Sequence, residues 1–235
     1  MKKMENKKSE YKNVVVKKPW GYEYLAYENE HVGLWFLHIE KDQQTSLHCH
    51  PRKDTGLVVL EGAVNVSFLN DINRLSAGRK IMIRKGLFHS TKALSKDGAS
   101  IFEIETPKLK HDLVRLEDMY GRKAQPYEGK SSEILKSDEC IFFKDPKKNQ
   151  KDSYVFKNCK INVESIMKKE SLLKKEDNDN LIFLDGGILT DDSKTCIVNP
   201  GDVIAAHTVK RLLGTFENIH PNTIIMTVNP LEEFI

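Results

Sequence analysis

Three histidines stand at spacings that suit metal chemistry. In the run Ser46-Leu47-His48-Cys49-His50, the two histidines lie two residues apart. On a β-strand such residues share a face, so His48 and His50 can aim two imidazoles at one point while Cys49 faces away. Imidazole suits zinc, iron, nickel and copper, and one more from a neighbouring strand completes a three-nitrogen site. His89 is the candidate, because the turn at Arg84-Lys85-Gly86-Leu87-Phe88 can swing it back towards the pair. One divalent transition metal (Zn, Fe, Mn or Ni) is the expected cofactor, its identity open. The remaining histidines, His38 excepted as a possible base, read as ordinary.

Short strands must position these side chains. From Val14 onward the chain reads as apolar or alternating runs of four to eight residues, as over 34–39, 57–60, 64–69, 80–83 and 101–105. Turn pairs such as Glu61-Gly62, Asn70-Asp71 and Ala77-Gly78 separate them, the pattern of an antiparallel β protein. Residues 111–120 and 161–175 read as partly helical. A polar, turn-prone stretch over 125–132 reads as a linker, and a second series of strand-like runs follows at 141–143, 154–156, 181–184, 195–198, 203–206 and 223–228.

The 235 residues hold 37 Lys and Arg against 34 Asp and Glu, a net charge of +3 that gives no ground for a nucleic-acid partner. No stretch approaches the ~20 apolar residues of a spanning helix, so no membrane partner is expected. The four cysteines form no C-x-x-C pair, and with no secretory pattern at the N-terminus a reducing cytoplasm is the expected location. The lysine-rich stretches over 144–151 and 174–180 read as solvated loops.

The order His48-x-His50, Gly62, Gly78, Gly86-x-x-His89 resembles the two consecutive motifs of the cupin superfamily. That resemblance implies an all-β fold of tandem cupin barrels (double-stranded β-helix, or jelly roll): a flexible basic tail over 1–13, a metal-binding cupin over 14–129 and a degenerate cupin over 130–235. Asp42 stands where the family's opening Gly is usual, Arg84 where its Pro is usual, and Thr55 where its metal-binding Glu is usual. Three neutral imidazoles remain unless Asp54 serves one residue away. Lys18-Pro19-Trp20-Gly21-Tyr22-Glu23 and the run from Asp112 to Arg122 (DLVRLEDMYGR) resemble the two ends of the type II mannose-6-phosphate isomerase cupin. In that pattern Gln stands where His48 does, and a Glu-His pair where Thr55-Gly56 does. In the second half, Gly187 would correspond to Gly62 and His207 to His89, with no His-x-His before them; the bicupin arrangement suggests edge pairing or a homodimer.

The resemblance implies a sugar-phosphate or nucleotide-sugar isomerase or epimerase of carbohydrate, such as surface-polysaccharide, biosynthesis. The metal would stabilise the charge that develops when the proton α to a carbonyl leaves. Glu103, Glu105 and His38 are candidate bases, between which strand parity alone does not choose. Lys53, Lys85, Arg115, Tyr120 and Arg122 are candidates to hold the anionic substrate. The three-histidine set without Glu also resembles non-haem iron dioxygenases of the superfamily, and a non-catalytic sugar-binding or regulatory cupin is the third expectation.

Overall fold

The computed structural model describes residues 11–123, 134–136 and 140–231. Most of the expected tail and linker, and the expected boundary at 129/130, lie outside the described residues.

The first half builds β1 (Val14–Lys18), β2 (Gly21–Glu28), β3 (Gly33–Ile39), β4 (Leu47–Cys49), β5 (Asp54–Glu61), β6 (Ala63–Phe68), β7 (Ile72–Ser76), β8 (Lys80–Ile83), β9 (His89–Ala93), β10 (Ala99–Thr106) and β11 (Val114–Glu117), with β12 (Ile134–Lys136) added beside β1. They form two antiparallel sheets, ordered β12-β1-β2-β3-β10-β5-β8 and β11-β4-β9-β6-β7. The eight strands from β3 to β10 thus divide as 3-10-5-8 and 4-9-6-7, the double-sheet jelly roll. Residues 111–120, expected to be partly helical, instead carry β11, whose Val114, Arg115 and Glu117 pair with β4. The helical pattern there is the weaker signal because β4 offers it a hydrogen-bonding edge.

The second half repeats this plan. It comprises β13 (Lys151–Phe156), β14 (Cys159–Ile166), α1 (Lys169–Leu173), β15 (Asn180–Asp185), β16 (Ile188–Leu189), β17 (Cys196–Val198), β18 (Val203–Ala205), α2 (Ala206–Leu213), β19 (Asn218–Ile219) and β20 (Thr223–Pro230). Its sheets run β13-β14-β20-β15-β18 and β17-β16-β19. The order β14-β20-β15-β18 matches β3-β10-β5-β8, and β19-β16-β17 matches β9-β6-β7. Only the counterpart of β4, the strand carrying His48, is replaced, by the short helix α1. The second barrel is therefore degenerate at the element that builds the site in the first.

Two expectations are corrected here. His207 lies in α2, exposed, and not at the head of a strand as His89 does. Residues 141–143 form no strand, although Phe143 is buried against both halves. Gly187 does fall in the turn between β15 and β16, as Gly62 does between β5 and β6.

Three apolar cores result. One fills the first barrel, with Trp20, Trp35, Leu37, Leu57, Val59 and Ile101 among its members. Another fills the second with Leu172, Phe183, Val198, Val209 and Ile225. Between the barrels the outer faces of the two large sheets pack together, Phe36, Val58, Leu60, Phe102 and Ile104 meeting Ile161, Val163, Ile182, Met226 and Val228. Strands β3, β5 and β10 are buried on both faces, which explains why they read as near-continuous apolar runs. Among the described residues, no helix is long and apolar enough to cross a membrane.

Candidate metal centre

The three histidines converge at one end of the first barrel. His48 on β4 sits directly opposite His89 on β9, and His50 follows immediately after β4. One ring nitrogen from each falls within 4.8 Å of the other two. The turn before β9 relies on Gly86, whose φ of +79° lies in the left-handed region that glycine enters without a Cβ penalty. Its N–H donates to the His50 carbonyl at 2.8 Å, tying the third histidine's loop to the first pair. Asp42, where the family's Gly is usual, also holds a positive φ, +61°, which an Asp tolerates better than most side chains.

Each ring is oriented by a carbonyl. Nδ1 of His48 meets the Ser46 oxygen at 2.7 Å, Nδ1 of His50 the Asp112 oxygen at 2.6 Å, and Nδ1 of His89 the Leu87 oxygen at 3.0 Å. A carbonyl only accepts, so each Nδ1 carries the hydrogen and each Nε2 keeps its lone pair free for a cation. The buried Nε2 of His50 has no hydrogen-bond partner, an orphan that a metal would satisfy. Burial holds all three rings neutral: His48 well below its usual range, helped by His89 and His50; His50 down to about 2; His89 down to about 4. Three neutral nitrogens with preset tautomers fit a divalent transition metal.

The position of the family's Glu is empty of carboxylate. Thr55 is fully buried on the interior face of β5, its hydroxyl without a hydrogen-bond partner. Asp54 does not replace it: pleating sends Asp54 to the other face, where it accepts from the Lys85 N–H at 2.8 Å and from Arg84 at 3.2 Å. The carboxylate nearest the histidines comes from β10, where Glu103 lies 3.9 Å from His50 Nε2.

A cavity of about 60 Å³ opens beside His48 and His50. Its wall combines Lys18, Lys53, Lys110, Arg115 and Arg122 with Glu23, Glu103 and Glu105, and with Trp20, Leu37, Leu113, Thr45 and Ser46. Inside it Lys53 Nζ donates to Glu105 at 2.6 Å, and Lys110 lies 3.0 Å from Glu23 and 3.7 Å from Glu105. Lys110 also stacks over Trp35, 3.4 Å from the ring centroid. The two β10 glutamates are driven apart. Burial, reinforced by the neighbouring Glu105 charge, pushes Glu103 up to about 7. Burial alone would raise Glu105 too, but Lys53 and Lys110 hold it below the usual carboxylate range.

The other expected site residues divide. Arg115 on β11 pairs across from His48 and lines the cavity. Arg122 lines it as well, its guanidinium held 2.7 Å from Asp118. The Tyr120 hydroxyl donates to Gln43 at 2.8 Å and lies outside the lining. Lys85 is exposed on the Gly86 turn, away from the cavity. His38 lies outside the cavity lining: it projects from the opposite face of β3, 3.4 Å from Ser100 Oγ and against the Tyr22 ring. Glu23, Lys18 and Lys110 join the cavity without having been candidate site residues. The Lys18–Glu23 run is legible as a motif, whereas Lys110 sits in an irregular loop with no local signal.

No protein-family model matches the chain, and no curated protein matches it. Among solved structures it is similar to KdgF from Halomonas sp., with 21% identity over 39% of this chain and 84% of that one at a TM-score of 0.37. It is similar to a cupin-2 domain containing protein from Shewanella frigidimarina, with 23% identity over 38% and 83% at 0.33. The DMSP lyase DddQ from Ruegeria pomeroyi gives 14% identity over 40% and 50% at 0.37.

Proposed function

We propose that the chain is a metal-binding cupin acting on a small anionic substrate, a sugar phosphate or nucleotide-linked sugar, as an aldose–ketose isomerase or epimerase. The observation that carries this reading is Glu103, a largely buried carboxylate 3.9 Å from His50 Nε2, which burial and the Glu105 charge push up to about 7 in the metal-free fold. A base works best when its pKa lies near the working pH, and Glu103 can accept a proton at Oε1 where its neighbour Glu105, bound to Lys53, is committed to an ion pair. Bound at His48, His50 and His89, a divalent metal supplies Lewis-acid polarisation of a carbonyl. Five cationic side chains line the cavity against three carboxylates; with Arg122 paired to Asp118 one positive charge remains in excess, to which an anionic group is the complementary ligand. Arg115, across from His48, orients it by a forked contact.

The test is exchange of the substrate's α-proton with D₂O in metal-loaded protein offered a panel of sugar phosphates. Exchange in the wild type and its loss by a factor of ~10² or more in Glu103→Gln supports the reading. Tightly bound iron with oxygen uptake overturns it in favour of a dioxygenase, the reading favoured by Thr55 in place of a carboxylate ligand. Ligand binding without exchange, unchanged when His48 and His50 are both replaced by Ala, would instead make the chain a binding module.

A further inference from the structure

His48 and His89 bond carbonyls two residues earlier in their own segments, Ser46 and Leu87. The partner of His50 lies 62 positions away. That partner, Asp112, closes a turn on the Leu109 carbonyl at 3.0 Å and contributes both its main chain and its side chain. Its carbonyl accepts from His50 Nδ1 at 2.6 Å. Its carboxylate, 3% exposed, takes the N–H groups of Arg52 at 2.8 Å and Lys53 at 3.2 Å on Oδ2, and Arg52 Nε at 3.1 Å on Oδ1.

We propose that Asp112 is the positioning residue for His50: its carboxylate fixes the height of the 50–53 turn, and so brings the His50 ring onto the carbonyl that sets its tautomer and aim. This rests on reading the three histidines as a metal centre. A buried carboxylate accepting two main-chain N–H groups is charge-assisted and stiff, and here it holds the His50 segment against the Asp112 carbonyl; loss of the outer partner of a ligating imidazole typically alters metal affinity 10–100-fold. The same turn delivers the Lys53 side chain to Glu105, so Asp112 aligns both the ligand and the ion pair behind it.

The experiment titrates Co²⁺ into the full chain by its visible absorption, beside long-range ¹H–¹⁵N spectra of the histidine rings in metal-free protein. Asp112→Ala is expected to weaken Co²⁺ binding ~10–100-fold, alter the absorption bands and move the His50 ring signals while those of His48 and His89 stay put. Asp112→Glu should recover part of the affinity, and Arg52→Ala, whose side chain is 72% exposed, should stay within about twofold of wild type. If Asp112→Ala does not fold, Asp112→Asn, which keeps an acceptor and loses the charge, is held to the same criteria. Wild-type affinity and bands in the variant overturn the proposal, as does equal disturbance of all three rings, the mark of general loosening. A wild type that takes up no Co²⁺ would bring down the metal-centre reading and this one with it; intact wild-type binding unaffected by the variants brings down this one alone.

Discussion

Every imidazole of the centre is kept neutral by burial, and neutrality has a cost that depends on pH. His89 titrates at about 4 in the fold, against ~6.5 in an unfolded chain. Between those values the unfolded chain binds a proton that the folded, metal-free protein refuses, so stability falls as pH drops through that window. The slope is on the order of 1 kcal/mol per pH unit for each such ring. Urea unfolding of metal-free protein between pH 7 and 4.5 is expected to show this decline, and His89→Gln to flatten it; an unchanged slope in the variant would contradict the assignment. Glu103 has the opposite sign. Its raised pKa makes the fold bind a proton that the unfolded chain has released, so its contribution is present at low pH and lost as pH rises from about 4.5 towards 7. Lys53 and Glu105 are both nearly inaccessible. Lys53→Met leaves buried Glu105 with only the longer Lys110 contact at 3.7 Å and is expected to destabilise by up to ~3–5 kcal/mol, much of it recovered in the Lys53→Met/Glu105→Leu double variant, as a double-mutant cycle in urea would show.

Strand elements act as rulers with a period of two. That period makes the His48 and His50 pair legible in the sequence, and it sets Glu103 and Glu105 on one face of β10. It does not say which face of β3 looks into the barrel, so parity leaves His38 an equal candidate, and only register puts Trp35 and Leu37 inward. The helical pattern over 111–120 misleads because an edge strand's pairing is decided by the neighbour it meets, here β4. Turns constrain as firmly as strands. Gly62 joins β5 to β6 at φ +79°, and a Cβ there would lie 2.6 Å from the Gly98 carbonyl oxygen. Gly62→Ala therefore combines left-handed strain with a backbone clash and is expected to lower the unfolding free energy by ~1–3 kcal/mol. Calorimetry measures the shift, and a wild-type melting temperature would refute it.

The two jelly rolls bury a shared apolar core between their large sheets, which predicts that they unfold as one cooperative unit. Phe36 is almost completely buried in the shared core, where it meets Phe156 of the second half with ring centroids 5.3 Å apart. Phe36→Ala is expected to cost ~3–5 kcal/mol. Both tryptophans, Trp20 and Trp35, lie in the first half, so fluorescence reports that half while far-UV circular dichroism reports both. Coincident urea transitions are expected for the wild type; separated midpoints would show that the halves unfold independently. Among the described residues, the three-histidine cluster belongs to the first half; in the second, α1 stands where the counterpart of β4 would be, and its Leu172 joins the apolar interior.

Local features are legible in the chain of residues: strand periodicity, glycine turns, the paired histidines and the spacing that brings His89 to them. Those follow from steric preferences acting over a few residues. Tertiary structure alone decided that Asp54 turns away, that Glu103 on β10 faces the centre in place of a carboxylate at position 55, and that Asp112 anchors His50 from 62 positions off. Such contacts depend on cross-strand register and loop closure, which are fixed only when whole sheets bury their faces against one another.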